Sequence, residues 1–564
     1  MTTALNAATP QIFRFSIDEV LGGDKYPYLA EHLWTLALAI VAVAVLSGIF
    51  MFVTRACTAR AGEDFAKSMR DDLFSHVQRL PMSWHDRNQT GDIIQRCTSD
   101  VEVIRNFVVT QLLEVFRTAF LVGISFTIMV SMNRRLAFVV LLFVPVIVLY
   151  SAVFYRLIAR RFKDADEAEG ELSTVVQENA TGVRVVRAFG REQFEMERFQ
   201  KKNEAFARLW IRLGTLSGLY WGVGDLITGL QVAVVIVLGA IETVHGNMTI
   251  GEFVAFASYN TVLVWPVRGL GRILSDMSKA GVSFDRVDYI IRGEEESYDK
   301  KSQAEPQGTN IVFSHVSFAY EQGKKVLDDV SFTIPQGKTF GILGGTGSGK
   351  STIVQLLTRL YELEDGEISV GGVDIRKLSL SWLRRNVGLV LQEPFLYSRT
   401  IKENIAASAP EASVEEIRQA AETACVDETI MGFADGYETL VGERGVTLSG
   451  GQRQRVAIAR MLLQKTPIMV FDDSLSAVDA RTDHEIRQAL KGRMKEATVI
   501  LISHRITTLM GADQILVLHQ GKAEQLGTHA QLIQEEGIYR QIYEIQMRKD
   551  DRHQVKGGGA YGGI

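Results

Sequence analysis

The sequence predicts a two-domain protein, an all-α polytopic membrane domain followed by an α/β phosphate-loop domain. Three observations carry that expectation. Long uncharged runs all fall before Arg268, and most are long enough to cross about 30 Å of hydrocarbon as a helix. From Thr309 onward short apolar strands alternate with amphipathic helices, as in parallel α/β folds. Between them stands Gly344–Ser351, GGTGSGKS, which matches G-x-x-x-x-G-K-[ST], a loop whose backbone N–H groups close around a polyphosphate.

The apolar runs come in order. Leu33 to Val53 is 21 residues without a charge. Leu112 to Met132 is charged only at its start, by Glu114 and Arg117, and Leu136 to Tyr155 is uncharged. Leu216 to Ile241 carries one acid, Asp225, and a short fifth run spans Phe253 to Val267. Buried helices of soluble proteins rarely run 20 residues without a charge, so these are read as membrane spans. Residues 54–111 hold eight Lys/Arg and 156–212 hold twelve, which places both stretches in the cytoplasm. Their apolar residues recur at helical spacing (Phe65, Met69, Leu73, Val77), so the helices are expected to continue beyond the membrane. The outer connections are short, Asn133-Arg134-Arg135 and Glu242 to Ile250. Five spans with a cytoplasmic C-terminal domain would leave the N-terminus outside. Residues 4–21 read as the outer end of a truncated sixth span, the alternative being a genuine five-span chain.

The expected domains are a membrane domain over 1–291, a charged linker over 292–308, a nucleotide-binding domain over 309–548 and a disordered tail over 549–564. A net charge of −5 over 564 residues gives no basic field to attract nucleic acid. Cys57, Cys97 and Cys425 fit neither a disulfide framework nor a metal spacing. The first thirty residues lack a basic start followed by an apolar core, so no secretory leader is expected.

The chemistry begins at the loop. Lys350 would reach the terminal phosphates of a nucleotide, and the Ser351 hydroxyl would sit on Mg²⁺. Thr339 to Leu343 reads as the strand entering the loop and Ser351 to Leu357 as the helix leaving it, whose free N–H groups and dipole favour an anion. Tyr320, 24 residues before Gly344, could stack on an adenine ring. Gln392 follows an apolar strand and offers a neutral ligand for Mg²⁺ or for the attacking water. Leu448–Gln452, LSGGQ, opens a helix whose N-terminus is a second phosphate site. The strand Ile468 to Asp472 ends in an acid placed for Mg²⁺ chelation. His504 follows the strand Thr498 to Ile502, where an imidazole could contact the γ-phosphate.

This set, in order and at this spacing over about 309–548, resembles the ATP-binding cassette (ABC) family, and the preceding region resembles the membrane half of an ABC exporter. Leu80-Pro-Met-Ser-Trp-His-Asp-Arg-Asn-Gln-Thr-Gly-Asp92 looks like that family's first coupling-helix region and Ala188-Phe-Gly-Arg-Glu-Gln-Phe194 like the second. The resemblance implies a cell-membrane protein that uses ATP and Mg²⁺ to move a small amphiphilic molecule, against membrane lipid and without nucleic acid. Tyr320 would stack on adenine; Gly344, Gly345, Thr346, Gly347, Ser348, Gly349, Lys350, Ser351 and Thr352 would hold the phosphates. Ser351, Gln392 and Asp472 would bind Mg²⁺, with Gln392 sensing and His504 orienting the γ-phosphate. Leu448, Ser449, Gly450, Gly451 and Gln452 would clamp ATP held by a partner cassette, because the family works as a head-to-tail sandwich. Ser474 to Asp479 would lie along that interface, and Val441 to Gly445 resembles the segment that meets a coupling helix.

One departure matters. The family places a glutamate after the Walker B aspartate as general base, and here the residue is Asp473. Aspartate is one methylene shorter, and misplacing a catalytic group by ~1 Å can cost on the order of 10²-fold. With LSGGQ intact, this implies one half of a heterodimer, whose own Walker motifs form a slow site while its signature completes a partner's fast one. A homodimer in which Asp473 serves as base, or a regulatory half that senses ATP without pumping, are the alternatives. Asp225 also stands out, because an acid in a span is expensive unless it faces a cavity or a partner charge. It is either a cation-attracting group in the substrate path, or a residue near the cytoplasmic interface or a structural partner for an arginine of another helix. Trp210, Trp221 and Trp265 are expected at the membrane interfaces.

Overall fold

The computed structural model describes residues 2–22, 26–296, 304–320, 323–442, 445, 447–474, 480–494 and 497–557. Contacts divide it into two compact units, Met1–Gln78 with Asn88–Gly293, and Arg79–Arg87 with Glu294–Ile564.

The first unit is helical: α1 (Thr2–Phe15), α2 (Trp34–Val77), α3 (Thr90–Met132), α4 (Arg134–Ala188), α5 (Glu192–Val244) and α6 (Ile250–Ile291). Helices α2 to α5 and the Ile250–Ile273 part of α6 are long and apolar enough to cross a membrane, and they contain the five expected runs except Leu33, which caps α2. Helices α2, α4 and α5 have 44, 55 and 53 residues, or about 65–80 Å at 1.5 Å per residue. Only about 30 Å of that is needed for hydrocarbon, so the expected extensions are continuous helix. The fifth span is the least apolar for a structural reason. Within its most apolar window 44% of residues are buried in the bundle, against 6% for α2, so more of its surface is packed by protein and less of it faces lipid.

Helix ends follow their capping chemistry. The side chain of Asn133 accepts from Leu136 N (3.0 Å), so α4 starts at Arg134 and the outer connection shrinks to one residue. The three-residue connection read from sequence is corrected accordingly: a good N-cap lets Arg134 and Arg135 enter the first turn. Thr249 and Glu252 form a reciprocal capping box on α6. Residues 4–21 are helical and fastened to α6: Arg14 pairs with Glu252 (2.6 Å), Gly251 N donates to Asp18 (2.8 Å), and the Tyr259 hydroxyl donates to the Ala7 carbonyl. The shared core includes Met129, Leu136, Val140, Val235, Phe256 and Tyr259.

Among the described residues of the second unit, ten strands form two sheets. An antiparallel sheet has the order β2 (Lys325–Ile334), β1 (Ile311–Ala319), β4 (Asp365–Val370), β5 (Val373–Asp374). The larger sheet runs β10 (Lys522–Gly527), β9 (Gln514–His519), β3 (Thr339–Gly344), β8 (Thr498–Ser503), β7 (Ile468–Asp472), β6 (Val387–Val390). All neighbours in it are parallel except β10–β9. Strands buried on both faces read as continuous apolar runs, which is why β7 and β8 were visible in the sequence.

Arg79–Arg87 belongs to this second unit and not to the membrane bundle, a departure from the expected 1–291 boundary. Glu296 N donates to the Arg79 carbonyl (2.7 Å), Arg79 pairs with Glu295 (3.2 Å), and the Tyr361 hydroxyl donates to Asp86 (2.5 Å). The last helix, Ile538–Gly557, runs past the expected start of the tail at 549, because helix-forming residues continue up to the glycines that begin at Gly557. Residues 558–564 lie outside the described residues.

Candidate nucleotide site

In an open parallel sheet, ligands bind beyond the carboxyl ends of the strands. Strands β3, β8, β7 and β6 are consecutive neighbours, so their C-terminal ends bring four expected groups into one row. The phosphate loop follows β3, His504 follows β8, Asp472 and Asp473 end β7, and Gln392 follows β6.

The loop needs its glycines. Gly347 (φ +77°) and Gly349 (φ +98°) occupy left-handed backbone, where a Cβ is strained. At Gly344 a Cβ would stand 2.4 Å from Ser348 Oγ and 2.6 Å from the Leu518 carbonyl. Gly349 caps the helix Lys350–Leu357, and Lys350 Nζ donates to the Gly345 carbonyl (2.7 Å). Ser348 Oγ is buried with no partner among the described residues. Tyr320 is tethered to the same helix: its hydroxyl lies 3.0 Å from Thr352 Oγ1 and donates to Gln355 (2.5 Å). Its ring meets Tyr361 edge to face (5.0 Å, 88°).

Burial dominates the electrostatics. It pushes the Lys350 ammonium below its ordinary pKa against the pull of Asp472 and Asp473. It pushes the Asp472 carboxyl up; the neighbouring Asp473 adds to this, while a hydrogen bond from Ser351 and the Lys350 charge oppose it. Ser351 and Asp472 thus act on each other, a hydroxyl and a carboxylate at the foot of the loop. That hard-oxygen pair fits Mg²⁺, which when bound would neutralise phosphate charge.

Asp473 is held on every side. Its backbone is left-handed (φ +45°), a region aspartate tolerates better than most residues. Its N–H donates to the Ile502 carbonyl (2.9 Å). Oδ2 lies 2.8 Å from His504 Nδ1, and Oδ1 accepts from Ser503 Oγ at 3.4 Å. A carboxylate can only accept, so Nδ1 donates and Nε2 points away from the acid. The acid is 11% exposed and the histidine 53%.

Gln392 is exposed, but its backbone is anchored: Gln454 Nε2 reaches its carbonyl at 3.4 Å, and Arg460 holds the Phe395 carbonyl (3.0 Å) and the Asn404 carbonyl (2.8 Å). Neither anchor was legible in sequence, since nothing local distinguishes them from other polar residues of a helix. Ser449 caps the helix Gly450–Leu463 in a capping box with Gln452. That helix packs on β6, the edge strand three places from β3, or about 14 Å at 4.8 Å per strand. The loop and LSGGQ of one chain therefore sit at different parts of the sheet. Ser474 is buried, while 475–479 and Glu443, Arg444 and Val446 lie outside the described residues.

In the membrane unit Asp225 has the structural partner envisaged for it. Arg268 Nη1 donates to Asp225 Oδ1 at 2.7 Å. The expected interfacial placing of the tryptophans is incomplete, because Trp221 and Trp265 also line a cavity, 4.9 and 5.5 Å from the Arg268 guanidinium.

Comparison with known proteins agrees with this geometry. Residues 1–267 match the ABC transporter transmembrane region, and residues 327–476 match the ABC transporter family. An uncharacterized ABC transporter ATP-binding protein of Bacillus subtilis (strain 168), YknU, is 35% identical over 551 residues, 97% of this chain and 94% of that one. An ATP-dependent lipid A-core flippase of Haemophilus influenzae (strain 86-028NP) is 33% identical over 94% of this chain and 90% of its own length. Among solved structures, a bacterial Atm1-family ABC exporter with ATP bound superposes with a TM-score of 0.84 at 27% identity, covering 97% of this chain and 96% of that one. The chain belongs to the ABC transporter family, as an ATP-driven exporter whose multi-pass membrane region and cytoplasmic, ATP-hydrolysing cassette are joined in one polypeptide.

Proposed function

We propose that this chain is one half of a heterodimeric exporter of small amphiphilic molecules, and that its own Walker motifs form the slow, ATP-holding site of the pair. The observation that carries this reading is Asp473. It stands where the family has its catalytic glutamate, and both its oxygens are engaged by His504 and Ser503. A general base must come within hydrogen-bond reach of the water it activates, and this acid is a methylene shorter and is drawn towards His504 and Ser503. Lys350, Ser351 and Asp472 would still hold MgATP, with Gln392 and Ser351 completing the metal's oxygen ligands and Tyr320 against the adenine. Leu448–Gln452 would complete a partner's site that has its own glutamate. The lipid A-core flippase among the relatives acts on an amphiphile, which supports that substrate class here.

The test is steady-state ATPase activity of the purified chain, alone and with its candidate partner half, each with and without Asp473→Glu. Near-inactivity alone with activity in the pair supports the heterodimer. Brisk hydrolysis by the lone chain, abolished by Asp473→Asn, would make Asp473 a competent base and the assembly a homodimer.

A further inference from the structure

The membrane unit contains a cavity of about 460 Å³ whose lining includes Glu114, Arg117, Tyr155, Trp221, Arg268 and Arg272. Its chemistry is set by Arg268, whose side chain is 4% exposed. The guanidinium is enclosed by three rings, with its carbon 4.9 Å from Trp221, 5.5 Å from Trp265 and 5.6 Å from Tyr220. Gly224 leaves the room for it, since a Cβ there would lie 2.4 Å from Nη2. Of its nitrogens, Nη1 donates to Asp225, while Nε and Nη2 are buried without a well-formed hydrogen bond beside Tyr220. Asp225 has the opposite character: its side chain is 70% exposed.

The remaining charges around the cavity leave a cationic surplus. Glu114 pairs with Arg117 (3.5 Å), and Asp276 is taken up by Lys279 (3.4 Å) and Gln111 (3.1 Å). Arg272 has no ion pair within 4 Å among the described residues. The cavity lies at the cytoplasmic ends of the spans, where Leu112 begins its run, Tyr155 ends one and Trp265 approaches the end of another.

We infer that this cavity is a binding site for the anionic head, phosphate or carboxylate, of an amphiphile, and that Asp225 is a displaceable stand-in for that head on Arg268. A buried guanidinium with unsatisfied donors and a fork geometry suits a phosphate or carboxylate. A cationic ligand would meet Arg268 and Arg272, and the ring faces that could receive it already hold the Arg268 guanidinium. The aromatic walls suit the apolar portion of the ligand. Because 70% of the Asp225 side-chain surface is left uncovered by protein, it can leave without unpacking the bundle, while Arg268 stays fixed by the rings and by Gly224. This deepens the exporter reading by naming a substrate class for it. The exporter reading has its own test in partner-dependent hydrolysis, which can succeed while head-group selectivity fails.

The experiment is equilibrium binding to the full chain in nanodiscs of a zwitterionic lipid, followed by quenching of tryptophan emission. The probes are lysophosphatidic acid, lysophosphatidylcholine and inorganic phosphate. Lysophosphatidic acid is expected to bind at least tenfold more tightly than either of the others. Arg272→Gln is expected to weaken it about tenfold, and Asp225→Asn to tighten it severalfold by freeing Arg268. An ATP-induced thermal shift of each variant reports that the chain is folded. Equal binding of the two lipids, or weaker binding by a folded Asp225→Asn variant, overturns the proposal. Phosphate binding as tight as the lipid's overturns the amphiphile part of it.

Discussion

Asp473 in the cassette and Asp225 in the membrane unit each meet a basic side chain at nearly the same distance, 2.8 Å to His504 and 2.7 Å to Arg268. The two pairs are inverted in burial. In the cassette the acid is 11% exposed and its partner 53%; in the membrane unit the acid is 70% exposed and its partner 4%. The buried member of a pair is the one whose position the fold sets, because desolvation and packing hold it. The exposed member keeps the freedom to exchange partners. Asp473 therefore holds His504 in place and leaves the outer nitrogen of the ring directed away. Arg268 is the fixed group of the other pair, and Asp225 is the one that can leave.

The contrast can be broken or sharpened by substitution, starting with the largest effect. Asp473→Glu returns the missing methylene. In the proposed heterodimer, with the partner's glutamate disabled, hydrolysis should rise by about 10²-fold, the cost of ~1 Å of misplacement, as read in single-turnover ATP hydrolysis. No rise would mean that His504 and Ser503 restrain the longer acid too. Next comes the membrane pair taken apart one residue at a time. Arg268→Ala removes a stem and a ring-stacked guanidinium and should destabilise the bundle by about 2 kcal/mol. Asp225→Asn keeps an oxygen to accept from Arg268 Nη1 and leaves the ring stacking intact, so it should cost less, about 1 kcal/mol. Denaturation in nanodiscs measures both, and equal costs would dissolve the asymmetry. Gly224→Ala places a methyl against Nη2 and should cost about 1–3 kcal/mol by overpacking, with altered tryptophan emission as the guanidinium shifts.

The smallest effect concerns Asp472. Its folded pKa lies above the unfolded value, so the folded state binds more protons between the two, and the empty cassette loses stability as pH rises from about 3.8 through the elevated pKa. At neutral pH Asp472→Asn should therefore raise the melting temperature of the nucleotide-free protein. The gain should shrink as pH is lowered toward 3.8, and a lower melting temperature at pH 7 would contradict the sign.

The nucleotide site was legible almost residue by residue because its parts are local. Gly344–Ser351 is one loop; Asp472 ends an apolar strand, His504 directly follows one and Gln392 lies two residues beyond one. Sequence could not place the strands side by side, yet any parallel order with β3, β7 and β8 adjacent brings those strand ends together. The spans were legible for the same reason, as uninterrupted runs, except the fifth, whose burial in the bundle weakens the signal by which a lipid-facing helix is recognised. The allocation of Arg79–Arg87 was not legible: its contacts are to Glu295, Glu296 and Tyr361, more than 200 residues away.

By itself, then, the sequence determined the two domains, the spans, the loop and the identity of the acid at 473, because each is written in neighbouring residues through periodicity, glycine conformation or a single side chain. Tertiary structure alone decided which way Asp473 turns and what Asp225 faces. Those outcomes depend on Ser503 and His504, 30 and 31 residues away, and on Arg268, 43 residues away. Only packing against neighbouring strands and helices brings such groups within hydrogen-bond reach.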